Sequence, residues 1–260
     1  TRVARKKQTA PSKGGQRRPY GSQGEMQPSS TGYSFFGQRV DTDISVKLPR
    51  SWPHGYDCAL SLCDRHSGMV SYYGMKGHDA CQVTAALDAW AHRFGDKLRD
   101  GKIVRLHTDN DTSYEGPEAK AWASEMVTRI TKREPYEPNT NPVAERSLGV
   151  AKQAMNAALA HAGVDACLWP WALMQFENIR YYTATRSHAE AKSPYSVLCP
   201  EAGPADLSWA KPMFCDVTVV MIERERSGKL GHYGVEGCYL GHDFVRGCPY
   251  VYLPAPFGKI

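Results

Sequence analysis

Two acidic residues in this chain have the type and setting for shared metal chemistry, Asp109 and Glu145, with 35 residues between them. Asp109 lies in the run His107-Thr108-Asp109-Asn110-Asp111. Just upstream, Lys102-Ile103-Val104-Arg105-Leu106 follows the break at Gly101 and is rich in β-branched and apolar residues, the composition of a short strand. Asp109 is therefore expected at a strand exit, and Asn110-Asp111 is a turn pair that tolerates the left-handed region. Glu145 lies in Asn141-Pro142-Val143-Ala144-Glu145-Arg146, where Asn141-Pro142 is a helix start and proline fits the first helical position. A carboxylate at a strand end and one in the first turn of a helix can meet over one edge of a sheet. The spacing alone is weak, because 27 acidic residues form many such pairs; the surrounding elements have to decide.

Those elements follow a clear order. Arg39–Val46 alternates as a first strand, Ser51–Gly55 is a turn, Tyr56–Asp64 is a second strand and Gly68–Tyr73 a third, an antiparallel meander. From Asp79 to Phe94, Val83, Leu87, Trp90, Ala91 and Phe94 recur at helical spacing. The strand before Asp109 comes next, then a helix over roughly 117–128, a short strand near 129–132 and a Pro/Asn loop from Pro135 to Pro142. The helix from Pro142 to Ala162 carries two stripes. Ala144, Leu148, Ala151, Met155, Ala158 and Ala162 make a core face, while Glu145, Gly149, Lys152 and Asn156 lie about 100° round. Gly163 is placed to cap that helix, and Leu168–Thr183 is a further helix. After a Pro- and Ala-rich stretch come three strand segments, Phe214–Ile222, Gly237–Gly241 and Tyr250–Leu253. The expected division is a disordered basic arm or linker at 1–37, a core at 38–186, a connector at 187–212 and a small β-rich module at 213–260.

Composition bounds the class. A 260-residue chain with 42% hydrophobic residues is globular, large enough for one full domain and a small second one. No apolar run approaches the roughly 18–20 residues of a membrane span. The first residues are basic and polar without an apolar signal core. A chain opening on Thr1 is expected to be a piece of a longer polypeptide. The eight cysteines include no Cys-x-x-Cys pair and are expected as buried free thiols in a reducing compartment. Net charge is +5, but residues 1–39 carry eight basic side chains against Glu25 alone, leaving −2 for the remainder. Poor in aliphatic residues, the arm is expected to stay unfolded, as a solvated linker or as a phosphate-binding arm.

The order of three antiparallel strands, a helix, a strand ending in Asp and a helix starting at Glu is that of a ribonuclease-H-like α/β core. The residues resemble one family, the integrases of copia-type LTR retrotransposon polyproteins, relatives of retroviral integrases. His107-Thr108-Asp109-Asn110 resembles the family's S-D-N-G, and Asn141–Arg146 its N-G-V-A-E-R. Lys192–Leu198 is similar to T-P-Y-E-x-L, and Gly237–His242 followed by Tyr250-Val251-Tyr252 to G-x-F-L-G-Y…Y-x-V-Y. The match runs from about residue 39 to 254. Asp111 and Pro142 stand where the family has glycines, and Gly149 where it usually has a basic or Asn side chain. The family's His/Cys zinc module is absent from the sequence.

The resemblance implies a five-stranded mixed sheet flanked by helices, followed by a small β module. It implies metal-dependent 3′-end processing and strand transfer of element DNA into target DNA, with Asp43, Asp109 and Glu145 as catalytic metal ligands. Asp43 and Asp41 both suit the first position, on one face of the first strand. Asp43 is preferred because it stands 21 residues before Asp64, the family's spacing, and Asp41 would then be a rim residue whose loss is mild. Two Mg²⁺ (or Mn²⁺) ions are implied, hard cations that suit carboxylate oxygens. Lys152, Arg146, Asn156 and Asn110 are the implied DNA contacts. The implied setting is a homo-oligomer, first in a cytoplasmic particle and then in the nucleus, cut from a polyprotein with an upstream zinc module and a downstream reverse transcriptase. Two other classes stay open: a decayed or domesticated core that binds nucleic acid without catalysis, and a ribonuclease-H-like nuclease of different biology.

Overall fold

A computed structural model describes residues 32–132, 142–184, 192–220, 234–243 and 247–253. The basic arm up to residue 31, the Pro/Asn loop with Asn141, and the end of the strand expected at Phe214–Ile222 lie outside the described residues.

Alternation with period two builds the main sheet. Strands β1 (Val40–Ser45), β2 (Cys58–Asp64) and β3 (Val70–Met75) form the antiparallel meander, and α1 (Ala80–Arg93) follows. β4 (Arg105–Thr108) then pairs parallel with β1, α2 (Pro117–Glu125) crosses, and β5 (Arg129–Lys132) pairs parallel with β4. The order across the sheet is β3-β2-β1-β4-β5. On one face Val40, Leu60, Leu62 and Leu106 pack with Val83, Leu87 and Trp90 of α1. The other face lies under α3 (Pro142–Ala162) and α4 (Trp169–Tyr182), whose Ala151, Met155, Trp169 and Leu173 share a cluster with Ala59. A second antiparallel sheet, in the order β6-β7-β8, is formed by β6 (Asp216–Val220), β7 (Gly234–Asp243) and β8 (Cys248–Tyr252). It shares that second cluster through Leu240, and Phe214 just before β6 joins it.

Local signals set the helix ends. The Asp79 carboxylate accepts from the backbone N–H of Gln82 at 3.0 Å and caps α1. Gly163, at φ +65°, ends α3: its N–H reaches the Ala160 carbonyl and that of Val164 the Leu159 carbonyl, the paired bonds of a Schellman cap.

Three expectations change. β4 begins at Arg105 rather than Lys102, because the Val104 N–H bonds to the carbonyl of Gly37 and leaves 102–104 as a lead-in outside the ladder. The connector contains a short helix, α5 (Pro194–Leu198), with Ser193 as its cap and Tyr195 packed on Tyr181 and Tyr182 of α4. All eight cysteines are free, but only Cys58 and Cys63 are buried, and Cys81 and Cys248 are exposed. Burial pushes the Cys58 thiol up to about 11 and the Cys63 thiol to about 12, which makes both inert. Among the described residues no helix is long and apolar enough to cross a membrane.

Candidate active site

Register brings the first two carboxylates level. In the parallel pair β1/β4, Val40 faces Leu106 and Asp41 faces His107. Two residues further on each strand, Asp43 stands abreast of Asp109, just past the end of β4. Both project to the face under α3, since side chains alternate along a strand. The Asp43 backbone carbonyl accepts from Ser61 Oγ at 3.1 Å, which ties this end of β1 to β2.

The Asp109 loop is held by short carboxylate turns. Asp109 Oδ1 accepts from the N–H of Asp111 at 3.1 Å, and Asp111 Oδ1 accepts from the N–H of Ser113 at 2.8 Å. Asp111 thereby caps the 3-10 turn Thr112–Tyr114 from an extended backbone, φ −64°. The expected left-handed turn residue is not used here, and this is why the loop does without the glycine of the resembling motif: a side-chain cap replaces a backbone kink.

Glu145 arrives from above. It is exposed in the first turn of α3, and the stripe Glu145, Gly149, Lys152 and Asn156 is solvent-facing along its length. The adjoining stripe, Ala144, Leu148, Ala151 and Met155, is buried, and its small residues let the helix approach the sheet closely. Tyr72 on β3 fixes the helix start, its hydroxyl 3.1 Å from Ser147 Oγ and 3.3 Å from the Ser147 carbonyl.

Electrostatics join these pieces. Burial raises the Asp43 carboxyl above the usual aspartate range, the negative charges of Asp109 and Glu145 raise it further, and the Ile44 N–H and the Lys152 ammonium pull it partly back. One carboxylate thus feels two others and a lysine, drawn from the loop after β4 and from α3. Arg146, Asn156 and Asn110 are exposed, Asn156 on the Lys152 stripe and Asn110 next to Asp109.

Asp41 has a different environment. It is 0% exposed, with Oδ1 2.6 Å from Arg39 Nε and Oδ2 3.1 Å from Arg65 Nη1. Arg39 and Arg65 both lie over the ring of Tyr33. Asp41 is therefore a buried anchor and not the rim residue expected from the sequence. Asp64 is likewise structural: it accepts from the N–H groups of Gly37 and Ser67 and from the Ser67 hydroxyl, binding the β2–β3 turn to the segment before β1.

The donor set fits a hard divalent cation. It consists of carboxylate oxygens, and a cation among them would offset the repulsion that adds to burial in raising the Asp43 carboxyl. Among the described residues no three His, Cys, Asp or Glu side chains are already gathered around a common point.

Several contributors went unseen in the sequence. The Arg39–Asp41–Arg65 cluster, the Tyr72–Ser147 contact and a hydrogen bond of 2.9 Å between Thr42 Oγ1 and the Tyr114 hydroxyl are all long-range pairings. The alternation of Asp41, Thr42 and Asp43 across a strand was the one available signal.

No family model and no curated relative matches the sequence. Solved structures do. A simian T-cell lymphotropic virus intasome, in complex with the PP2A regulatory subunit B56 gamma, contains a chain 14% identical to this one. The match covers 85% of this chain and 77% of that one, at a TM-score of 0.51. The magnesium-bound catalytic core domain of HTLV-2 integrase (trimeric form) is 15% identical, covering 62% of this chain and 95% of that one at a TM-score of 0.48. The BIV integrase catalytic core is 16% identical, over 64% and 95%, at 0.46. The five-stranded mixed sheet with flanking helices is thus a ribonuclease-H-like fold of the integrase-core type.

Proposed function

We propose that this chain is a retrotransposon integrase of the copia type, a metal-dependent polynucleotidyl transferase that processes the 3′ ends of element DNA and joins them to target DNA. The observation that carries the reading is the parallel β1/β4 register that sets Asp43 level with Asp109, below the helix whose first turn carries Glu145, on a fold of the integrase-core type. Asp43, Asp109 and Glu145 would hold the Mg²⁺ or Mn²⁺ ions. Such a pair of ions, when bound, supplies an activated nucleophile and relief of charge on attacking and leaving oxygens.

The chain's own residues do the rest. Asp43, held in β1 by its pairing with β2, presents its carboxylate level with Asp109. The Asp111 cap and the Tyr72–Ser147 contact hold two of the three carboxylates in place before substrate arrives. Lys152, with Arg146, Asn156 and Asn110, offers charge and hydrogen bonds to the DNA backbone, contacts that position rather than specify. The basic stretch before residue 40 adds salt-sensitive, sequence-independent affinity. In this reading the protein works as a homo-oligomer on element ends and target DNA. It is released from a polyprotein with a zinc module upstream and a reverse transcriptase downstream, and passes from a cytoplasmic particle to the nucleus.

The test is joining of short oligonucleotides in Mg²⁺. Joining by the parent and none by Asp43→Asn supports the reading. A second reading, a core that binds nucleic acid without catalysis, draws on the ungathered carboxylates. It requires DNA binding with no joining in either Mg²⁺ or Mn²⁺.

A further inference from the structure

The face of the sheet opposite the carboxylates holds a contact that the reading above does not use. Thr42 lies between Asp41 and Asp43 on β1, 0% exposed, and alternation sends its side chain to the α1 face. There its hydroxyl meets that of Tyr114 at 2.9 Å. Tyr114 is 2% exposed and packs in the α1-side core. It closes the 3-10 turn that begins three residues after Asp109 and is capped by Asp111. The tyrosine lies within reach of the charges of Asp109, Asp111 and Asp43.

Asp43 and Asp109 are brought level by the β1/β4 register, but that ladder ends at Asp41 and His107. Beyond it, backbone pairing no longer fixes how far the Asp109 loop stands from β1. The Thr42–Tyr114 bond spans this gap from beneath. An aromatic ring alone would fill the same space. The hydroxyl adds a directional tie between the residue beside one carboxylate and the turn that carries the other.

We propose that Tyr114 is a positioning residue for the candidate metal site, its hydroxyl acting through Thr42 to set the separation of Asp43 and the Asp109 loop. This rests on the metal-site reading above. It assigns a task to a buried side chain that touches neither metal nor substrate.

The experiment measures Mn²⁺ binding by calorimetry, and thermal unfolding without metal, for the full chain and for Asp43→Asn, Tyr114→Phe, Thr42→Val and the double variant Thr42→Val/Tyr114→Phe. Each single variant removes one hydroxyl from a buried pair, so each unfolds at a lower temperature. The double variant removes both partners and should recover most of that loss. A merely structural bond would let metal affinity recover with it. A positioning bond keeps affinity low, by about tenfold, the low end for residues that support ligands. The expected result is metal binding by the parent, lost in Asp43→Asn, and weakened in both Tyr114→Phe and the double variant while the double variant's stability returns. Parent-like affinity in Tyr114→Phe, or affinity recovered in the double variant, overturns the positioning role and leaves the site standing. Mn²⁺ binding that is absent in the parent, or unchanged by Asp43→Asn, overturns the site and the proposal together.

Discussion

Asp43 on β1 stands level with Asp109, which lies just past the end of the neighbouring parallel strand β4, one same-face pair beyond Asp41 and His107. Adjacent strands are about 4.8 Å apart, so two ionised carboxylates at that level repel unless a cation lies between them. In the metal-free protein burial of the Asp43 carboxylate, with this repulsion added, is a cost to the fold. The Asp43 carboxyl holds its proton to a higher pH when folded than when unfolded. As pH rises from the ordinary aspartate range, the unfolded chain therefore loses its proton first. Stability falls until the folded carboxyl has ionised too.

Asp43→Asn removes that cost and keeps an oxygen for the Ile44 N–H, which donates to Asp43 Oδ1 at 2.9 Å in the parent. The expected outcome at pH 7 without metal is a higher thermal midpoint than the parent, with the two converging as pH falls through the aspartate range. Oligonucleotide joining is abolished. A lower midpoint for the variant at pH 7 would show that neither burial nor the neighbouring carboxylates disfavour the Asp43 charge.

Asp41→Asn behaves in the opposite way. Asp41 is buried between Arg39 and Arg65, whose side chains are 19% and 23% exposed. Losing the charge leaves two partly buried guanidinium groups without their partner. Breaking a fully buried pair costs several kcal/mol, and the arginines' access to water lowers that to about 2–3 kcal/mol. Denaturant unfolding reads the loss. Joining measured well below the variant's midpoint should stay within about threefold of the parent, since 1.4 kcal/mol in the barrier would already give tenfold.

The contrast between these two aspartates marks where sequence reasoning stops. Alternation along β1 puts both on one face, and nothing in Val40–Ser45 says which is buried. That depends on Arg65, 24 residues away at the end of the β2 hairpin, and on the ladder with β4. Elements with strong local signals were legible. The Pro142–Ala162 helix has a proline start, a glycine stop and two clean stripes, and it forms with those bounds. Arg129–Lys132 forms as expected too. The start of β4 was not, because Val104 gives its N–H to Gly37 in a loop that only the tertiary structure brings alongside. α5 was missed because five residues show too little periodicity, although Ser193-Pro194 is a helix-start signal. The grouping of Asp43, Asp109 and Glu145 rests on motif order, which alternation and periodicity alone do not supply.

Glu177 tests how α4 supports the site. It is buried, and its Oε1 is 2.6 Å from Arg93 Nη1 while Oε2 accepts from the Tyr72 N–H at 2.9 Å. Tyr72 in turn reaches Ser147 near the start of α3. Glu177→Leu orphans a backbone N–H and releases an arginine that is 46% exposed and can rehydrate. The expected cost is about 1–3 kcal/mol, chiefly from the N–H. Hydrogen exchange should show faster opening at Tyr72 and in the first turns of α3, with β5 unchanged. Unchanged exchange at α3 would mean that the Tyr72–Ser147 contact does not transmit.

Gly149 offers the opposite kind of change, a gain. It sits on the exposed stripe one turn beyond Glu145, and a Cβ built there meets nothing within 4 Å. Glycine in an exposed helix interior costs about 0.5–1 kcal/mol relative to alanine, so Gly149→Ala should stabilise the chain by that amount. Gly149→Lys should capture part of the same gain. Glu145 four residues ahead adds about 0.2–0.5 kcal/mol, the favourable order for an acid–base pair on a helix. The lysine also extends the Lys152 stripe toward the carboxylates. If that stripe lies along a DNA backbone, one more phosphate contact should steepen the salt dependence of binding by about 0.9 in the log–log slope, whatever the sequence of the DNA. Binding titrations of the parent, Gly149→Ala and Gly149→Lys over a range of salt concentrations separate the two effects. Alanine should raise stability and leave the slope alone, while lysine should change both. A lysine variant with the parent's slope would move the DNA path off this face of α3.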